Sequence, residues 1–218
     1  MNHYEFINSI KTYENLNKSE KMSAYMRGKF EFLGINAPLR YALEKEYFKE
    51  LKTSRKIDWD FVEILWKEEQ REFQYIATDY LNNMKNYLKY EDLDKLYKLI
   101  KSKSWWDSVD NFPRLISKIV DIDKNTNTAM GKWSRDGNLW IRRVSIIYQL
   151  HRKDKTNEEF LERNILNNLN GNEFFINKAI GWALRDYSKY NSAFVREFID
   201  ENRENLSTLS IKEASKYL

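Results

Sequence analysis

FQYIATDYL (73–81), WDSVDNFPRL (106–115), WIRRVSIIYQL (140–150) and FINKAIGWALRDY (175–187) open on aromatic residues spaced 33, 34 and 35 positions apart. Each stretch carries apolar residues at helical spacing, and a period in this range marks stacked helical pairs that bury their apolar faces only against neighbours. The register predicts an all-α chain. It also isolates one residue. The fifth position of the four stretches reads Ala77, Asp110, Val144 and Ala179. Three keep the slot small or apolar and one fills it with a carboxylate. A charge in such a slot is costly unless paired or used, so Asp110 is the first candidate for chemistry.

Around these stretches the composition narrows the classes. The 218 residues include 42% apolar and 32% charged, enough for a core under an extensively solvated surface, with only two prolines and six glycines to break helices. No low-complexity linker interrupts the chain, and a single helical-repeat domain over 1–218 is the expectation. Cysteine is absent, which excludes disulfides, thiol catalysis and cysteine metal sites. His3 and His151 lie too far apart to suggest a metal pair, so neither a metal nor a cofactor is expected. No apolar run reaches membrane-spanning length and MNHYEFINSI lacks a signal-peptide pattern, pointing to a soluble cytoplasmic monomer. The net charge of +4 is modest, but residues 101–155 hold 12 Lys and Arg against 6 Asp and Glu. A basic middle suits a polyanion such as nucleic acid, and equally an ordinary solvated helix face.

Residues 4–16 read as an opening helix carrying Phe6, Ile7 and Ile10. Asn17 or Ser19 is placed to cap the next, with Met22, Tyr25 and Met26. The turn Leu33-Gly34-Ile35-Asn36 precedes Pro38 at a first helical turn, and Asp58 is placed to cap a segment with Phe61, Leu65 and Trp66. Later breaks are expected near Lys89-Tyr90, Asp121–Thr128, Gly137-Asn138, Asn170-Gly171 and Asn191-Ser192.

Within 106–115, Ser104 and Asp107 have the spacing of a capping box. Trp106 and Asp110 share a helical face, and Pro113 warns of a kink or a late helix start. Arg114, one turn beyond Asp110, offers a plain salt bridge as the alternative to chemistry. In the fourth stretch Lys178, Trp182 and Arg185 follow i, i+4, i+7 spacing and line one face. That suits a phosphate–sugar surface, although a core tryptophan flanked by snorkelling cations explains it too.

Taken together, AYMRGKFEFLGINAPLR, SWWDSVD, LWIRRVSIIYQL, FFINKAIGWALRDYSK and LSIKEASKYL resemble the AlkD-type DNA alkylation repair glycosylases over nearly the whole chain. The resemblance implies a right-handed superhelical solenoid of HEAT-like antiparallel helix pairs with a concave basic face. The implied partner is duplex DNA containing alkylated purines, whose N-glycosidic bond the family hydrolyses. Asp110 matches the family's catalytic carboxylate, and Trp106 and Trp182 match aromatics flanking the lesion's deoxyribose. Arg143 matches a DNA-contacting arginine and Tyr25 a site-lining tyrosine. Arg185 falls at a phosphate contact, with Lys178 on the same DNA-binding face. Asn191-Ser192 stands where many relatives show Asn-Pro. No lysine is identifiable as a Schiff-base nucleophile, so a lyase step is not expected, with Lys178 the residue to check. A non-catalytic solenoid binding branched or damaged DNA, or a protein scaffold, is the alternative, since helical repeats commonly serve as binding surfaces.

Overall fold

The computed structural model describes residues 1–218 and is all-α, with one isolated parallel bridge between Glu31 and Gln70 outside the helices. Contacts divide the chain into two compact units, 1–88 and 89–218.

The first unit holds α1 (His3–Lys11), α2 (Leu16–Tyr25), α3 (Ala37–Lys52), α4 (Trp59–Lys67) and α5 (Arg71–Met84). α1 buries Phe6, Ile7 and Ile10 as its pattern predicts, but it ends at Lys11, short of residue 16. Asp58 caps α4 by accepting from the Phe61 N–H, and Asn36 caps α3 ahead of Pro38. The cap of α2 differs from expectation: Asn15 accepts from the Lys18 N–H, while Ser19 is spent on a tertiary bond to the Phe32 carbonyl. Gly34 explains the close approach there. Its φ of +86° favours glycine, and a Cβ would lie 2.3 Å from the Asn15 carbonyl oxygen. The adjoining N–H groups of Leu33, Gly34 and Ile35 all donate to the buried Glu72 carboxylate, which fixes the turn against α5.

The second unit runs through α6 (Leu93–Lys101), α7 (Trp106–Val109), α8 (Phe112–Ile122), α9 (Asn125–Trp133), α10 (Leu139–Ile147), α11 (Glu158–Leu166), α12 (Phe174–Ser188), α13 (Ser192–Glu201) and α14 (Thr208–Ala214). The break expected over 121–128 is narrower than that, spanning only 123–124. Here the helices stack in two layers: α8, α10, α12 and α14 pack in sequence, and α9, α11 and α13 back them pairwise. Ile146, Ile165, Ile176, Ile180, Leu184 and Phe198 form the heart of its core. The repeat register survives in the packing. Ala77, Val144 and Ala179 are fully buried, while Asp110 keeps 19% of its side chain exposed.

Candidate active site

The stretch 106–115 does not form one helix. α7 is a single turn from Trp106 to Val109, Asp110 is its C-cap, and α8 begins at Phe112 with Pro113 in its first turn, where a missing N–H costs nothing. The proline thus breaks the helix beside Asp110. Even so, the Asp110 N–H donates to the Trp106 carbonyl at 3.1 Å, so the two residues keep the one-turn relation of their spacing. The capping box does not form. Trp105 is the N-cap without a side-chain bond, and the Ser104 hydroxyl donates to the Ile100 carbonyl at the end of α6.

Asp110 does not pair with Arg114, which is exposed to solvent. Its partner is Arg143 on α10, 33 residues on. Arg143 Nε donates to Asp110 Oδ1 at 2.8 Å and NH2 to Oδ2 at 2.7 Å, a bidentate fork with the geometry that guanidinium and carboxylate favour. NH1 donates to the Phe175 carbonyl at 2.6 Å, and the side chain is only 4% exposed. Arg143 is therefore fixed on three sides and holds the carboxylate at a set angle. Its neighbour Arg142 points elsewhere, to Glu173 and the Asp136 carbonyl.

A cavity of about 380 Å³ opens over this pair. Trp106 and Trp182 line it together with Asp110 and Arg143, and Lys178 and Arg185 stand at its cationic side. The i, i+4, i+7 spacing on α12 thus brings Lys178, Trp182 and Arg185 to one pocket. Trp182 is half-buried, packing against the core while still lining the cavity. The Arg143 guanidinium carbon lies 6.0 Å from the ring centroids of Trp182 and Phe175, within cation–π range. Trp105 and Trp140 pack against Phe175, itself part of the lining, with centroids 4.8–5.5 Å apart. Trp105 thus joins the other repeat aromatics, while the residue in register, Trp106, lines the cavity.

Six of the seven expected site residues meet here. Tyr25 does not belong to this unit; it ends α2 in the first, with 72% of its surface exposed. Glu213 was missed by sequence reading. It accepts from both Lys178 and Arg185, and the only local hint was its three-residue spacing from Lys216 in LSIKEASKYL. No three His, Asp or Glu side chains converge as metal ligands would, and no helix is long and apolar enough to cross a membrane.

Comparison with known proteins shows the family of the chain as a whole. Residues 6–218 match the family described as DNA alkylation repair enzyme. A search of curated proteins gave no match. Among solved structures, the "Predicted DNA alkylation repair enzyme from Enterococcus faecalis" is 36% identical, with a TM-score of 0.86 over 94% of this chain and 96% of that one. Family membership implies DNA as a partner. The chain belongs to the DNA alkylation repair enzyme family.

Proposed function

We propose that the chain is a monofunctional DNA glycosylase that hydrolyses the N-glycosidic bond of cationic N3- and N7-alkylated purines in duplex DNA. The observation that carries this reading is the set of side chains around the cavity: one carboxylate, Asp110, between two tryptophans, with cations at the side. Glycoside hydrolysis ordinarily needs two carboxyl groups, one of them to protonate the leaving group. A purine alkylated at N3 or N7 already carries positive charge. When its bond to C1′ breaks, the electron pair goes to the purine and the base departs neutral, so no second acid is required.

What remains is a sugar with oxocarbenium character and an incoming water. Asp110 accepts two bonds from Arg143, and a carboxylate has about four acceptor sites, so lone pairs stay available to face the sugar and the water. The carboxylate stabilises the developing cation, and the water's proton passes to it as the new C1′–O bond forms. Trp106 and Trp182 add cation–π attraction worth about 0.5–2 kcal/mol per contact. Both effects strengthen as the sugar becomes positive, which is the differential binding that accelerates a reaction. A scaffold that only binds phosphate gains nothing from a carboxylate that lines the cavity itself beside two tryptophans.

The test is release of free base from duplex DNA containing 7-methylguanine or 3-methyladenine. Release of either, with uncharged hypoxanthine left in place, is expected. Rapid excision of hypoxanthine would sink the single-carboxylate account, and binding without any base release would make the chain a non-catalytic DNA binder.

A further inference from the structure

Glu213 on α14 serves three cations at once. Lys178 Nζ lies 2.8 Å from its Oε1, Arg185 NH1 lies 2.5 Å from its Oε2, and Lys216 Nζ is 3.0 Å from each oxygen. The carboxylate is the buried member, with 8% of its side chain exposed, whereas Lys178, Arg185 and Lys216 keep 40%, 26% and 46%. The acid therefore sits beneath its partners and the accessible side of the cluster is cationic.

The seam between α12 and α14 is shaped to seat this acid. Gly181 lies within α12, and a Cβ there would come within 2.5 Å of the Glu213 Cβ and 3.0 Å of the Ser210 carbonyl oxygen. Glycine thus allows α14 to approach far enough for the carboxylate to reach under Lys178 and Arg185. The Ser210 hydroxyl closes the same seam by donating to the Asn177 carbonyl at 2.8 Å. The Lys178 bond, followed by that of Lys216, draws the Glu213 pKa down to about 2, so the group stays ionised at any ordinary pH.

Three cations this close repel one another, and one buried carboxylate offsets a single charge. Donors are left over as well. An ammonium has three and a guanidinium five, and Glu213 engages one from Lys178 and one from Arg185. We propose that Glu213 is a positioning residue that gathers Lys178 and Arg185 at the pocket's edge into a preformed clamp for a DNA backbone phosphate, with Lys216 supplying a third charge. This rests on the reading of the pocket as DNA-facing. The carboxylate itself does not touch the DNA; it spares the two long side chains the ordering cost that they would otherwise meet on binding.

The experiment is equilibrium binding of a short unmodified duplex across a range of salt. It compares the parent, Glu213→Gln, the Lys178→Ala/Arg185→Ala double variant, and the triple variant. Glu213→Gln keeps the shape and removes the charge. It is expected to raise Kd about tenfold and to reduce the slope of log Kd against log salt by about 1–2, the loss of one or two phosphate contacts. In the background lacking both cations the same substitution should change nothing. Should the Gln variant not fold, Glu213→Asp carries the comparison, since it keeps the charge but shortens the reach. Unchanged binding, tighter binding with a steeper slope, or an equal loss in the background lacking Lys178 and Arg185 would each overturn the clamp. A parent that binds duplex without salt dependence fails at the first step, and that result removes the DNA-facing reading together with the clamp.

Discussion

Arg40 grips Asp79 in the first unit much as Arg143 grips Asp110 in the second. Arg40 sets Nε and NH2 on a single oxygen of Asp79, at 2.9 and 2.8 Å, and Glu44 Oε1 lies 3.2 Å from the same Nε. One guanidinium thus serves two acids. Arg143 spans both oxygens of one acid and spends its third donor group on a backbone carbonyl. The cavities beside the two pairs differ in kind. Glu44 and Asp79 line one of them with Tyr41, Phe48 and a single lysine, Lys45, a lining with no tryptophan and only one cation to meet a phosphate backbone. The Asp110 cavity has one acid among two tryptophans and three cations. An arginine–carboxylate pair is therefore not a site by itself; the side chains around it decide whether a polyanion can approach and a sugar cation be stabilised.

The largest effect should come from breaking the second pair. Arg143→Ala leaves Asp110 mostly buried without its counter-charge, and the expected loss of stability is about 3 kcal/mol, read as a lower midpoint in denaturant. Arg143→Lys should recover only part of it, because one ammonium cannot hold both carboxylate oxygens and the Phe175 carbonyl together. A midpoint unchanged in Arg143→Ala would mean that the fork contributes nothing to the fold.

A smaller, pH-dependent effect is expected in the first unit. Burial, reinforced by the nearby Asp79, raises Glu44 from 4.5 to about 9 against the opposing pull of Arg40. The folded chain therefore keeps this proton over a range where the unfolded chain has lost it. Between those two values folding takes up a proton, so the Glu44 contribution to stability is complete below 4.5 and declines as pH rises towards 9. Glu44→Gln removes that dependence. The variant should match the parent near pH 4.5 and exceed it in stability by a margin that widens with pH, by up to about 1.4 kcal/mol per unit, until pH nears 9. Parallel stability curves for the two proteins would show that Glu44 titrates as an ordinary acid.

Only the second unit's half of this contrast was legible in the sequence. The repeat register isolated Asp110 because its siblings are Ala77, Val144 and Ala179, all fully buried. Helical spacing put Lys178, Trp182 and Arg185 on one face, and the cavity gathers all three. Three of the misses share a cause, since each turned on a tertiary partner that local spacing cannot reveal. Asp110 ignored Arg114, one turn away, for Arg143 in the next repeat. Ser19, well placed as a cap, was drawn to the Phe32 carbonyl of another segment, while Ser104 bonds four residues back to the Ile100 carbonyl at the end of α6. Glu213 lies 35 residues beyond Lys178, and only the close packing permitted by Gly181 brings the two together. Periodicity reports which residues face inward, but not which inward-facing residue meets which.

The most direct test of the central claim sets the two pairs side by side in one assay. Release of 7-methylguanine from methylated duplex is measured for the parent, Asp110→Asn and Asp79→Asn, with DNA binding followed in parallel. Asp110→Asn should bind duplex and lose about 100- to 1000-fold in turnover, the scale of removing a focused electrostatic stabiliser. Asp79→Asn should keep turnover close to the parent's. Equal activity in Asp110→Asn and the parent would contradict the account, leaving the second pair as structural as the first.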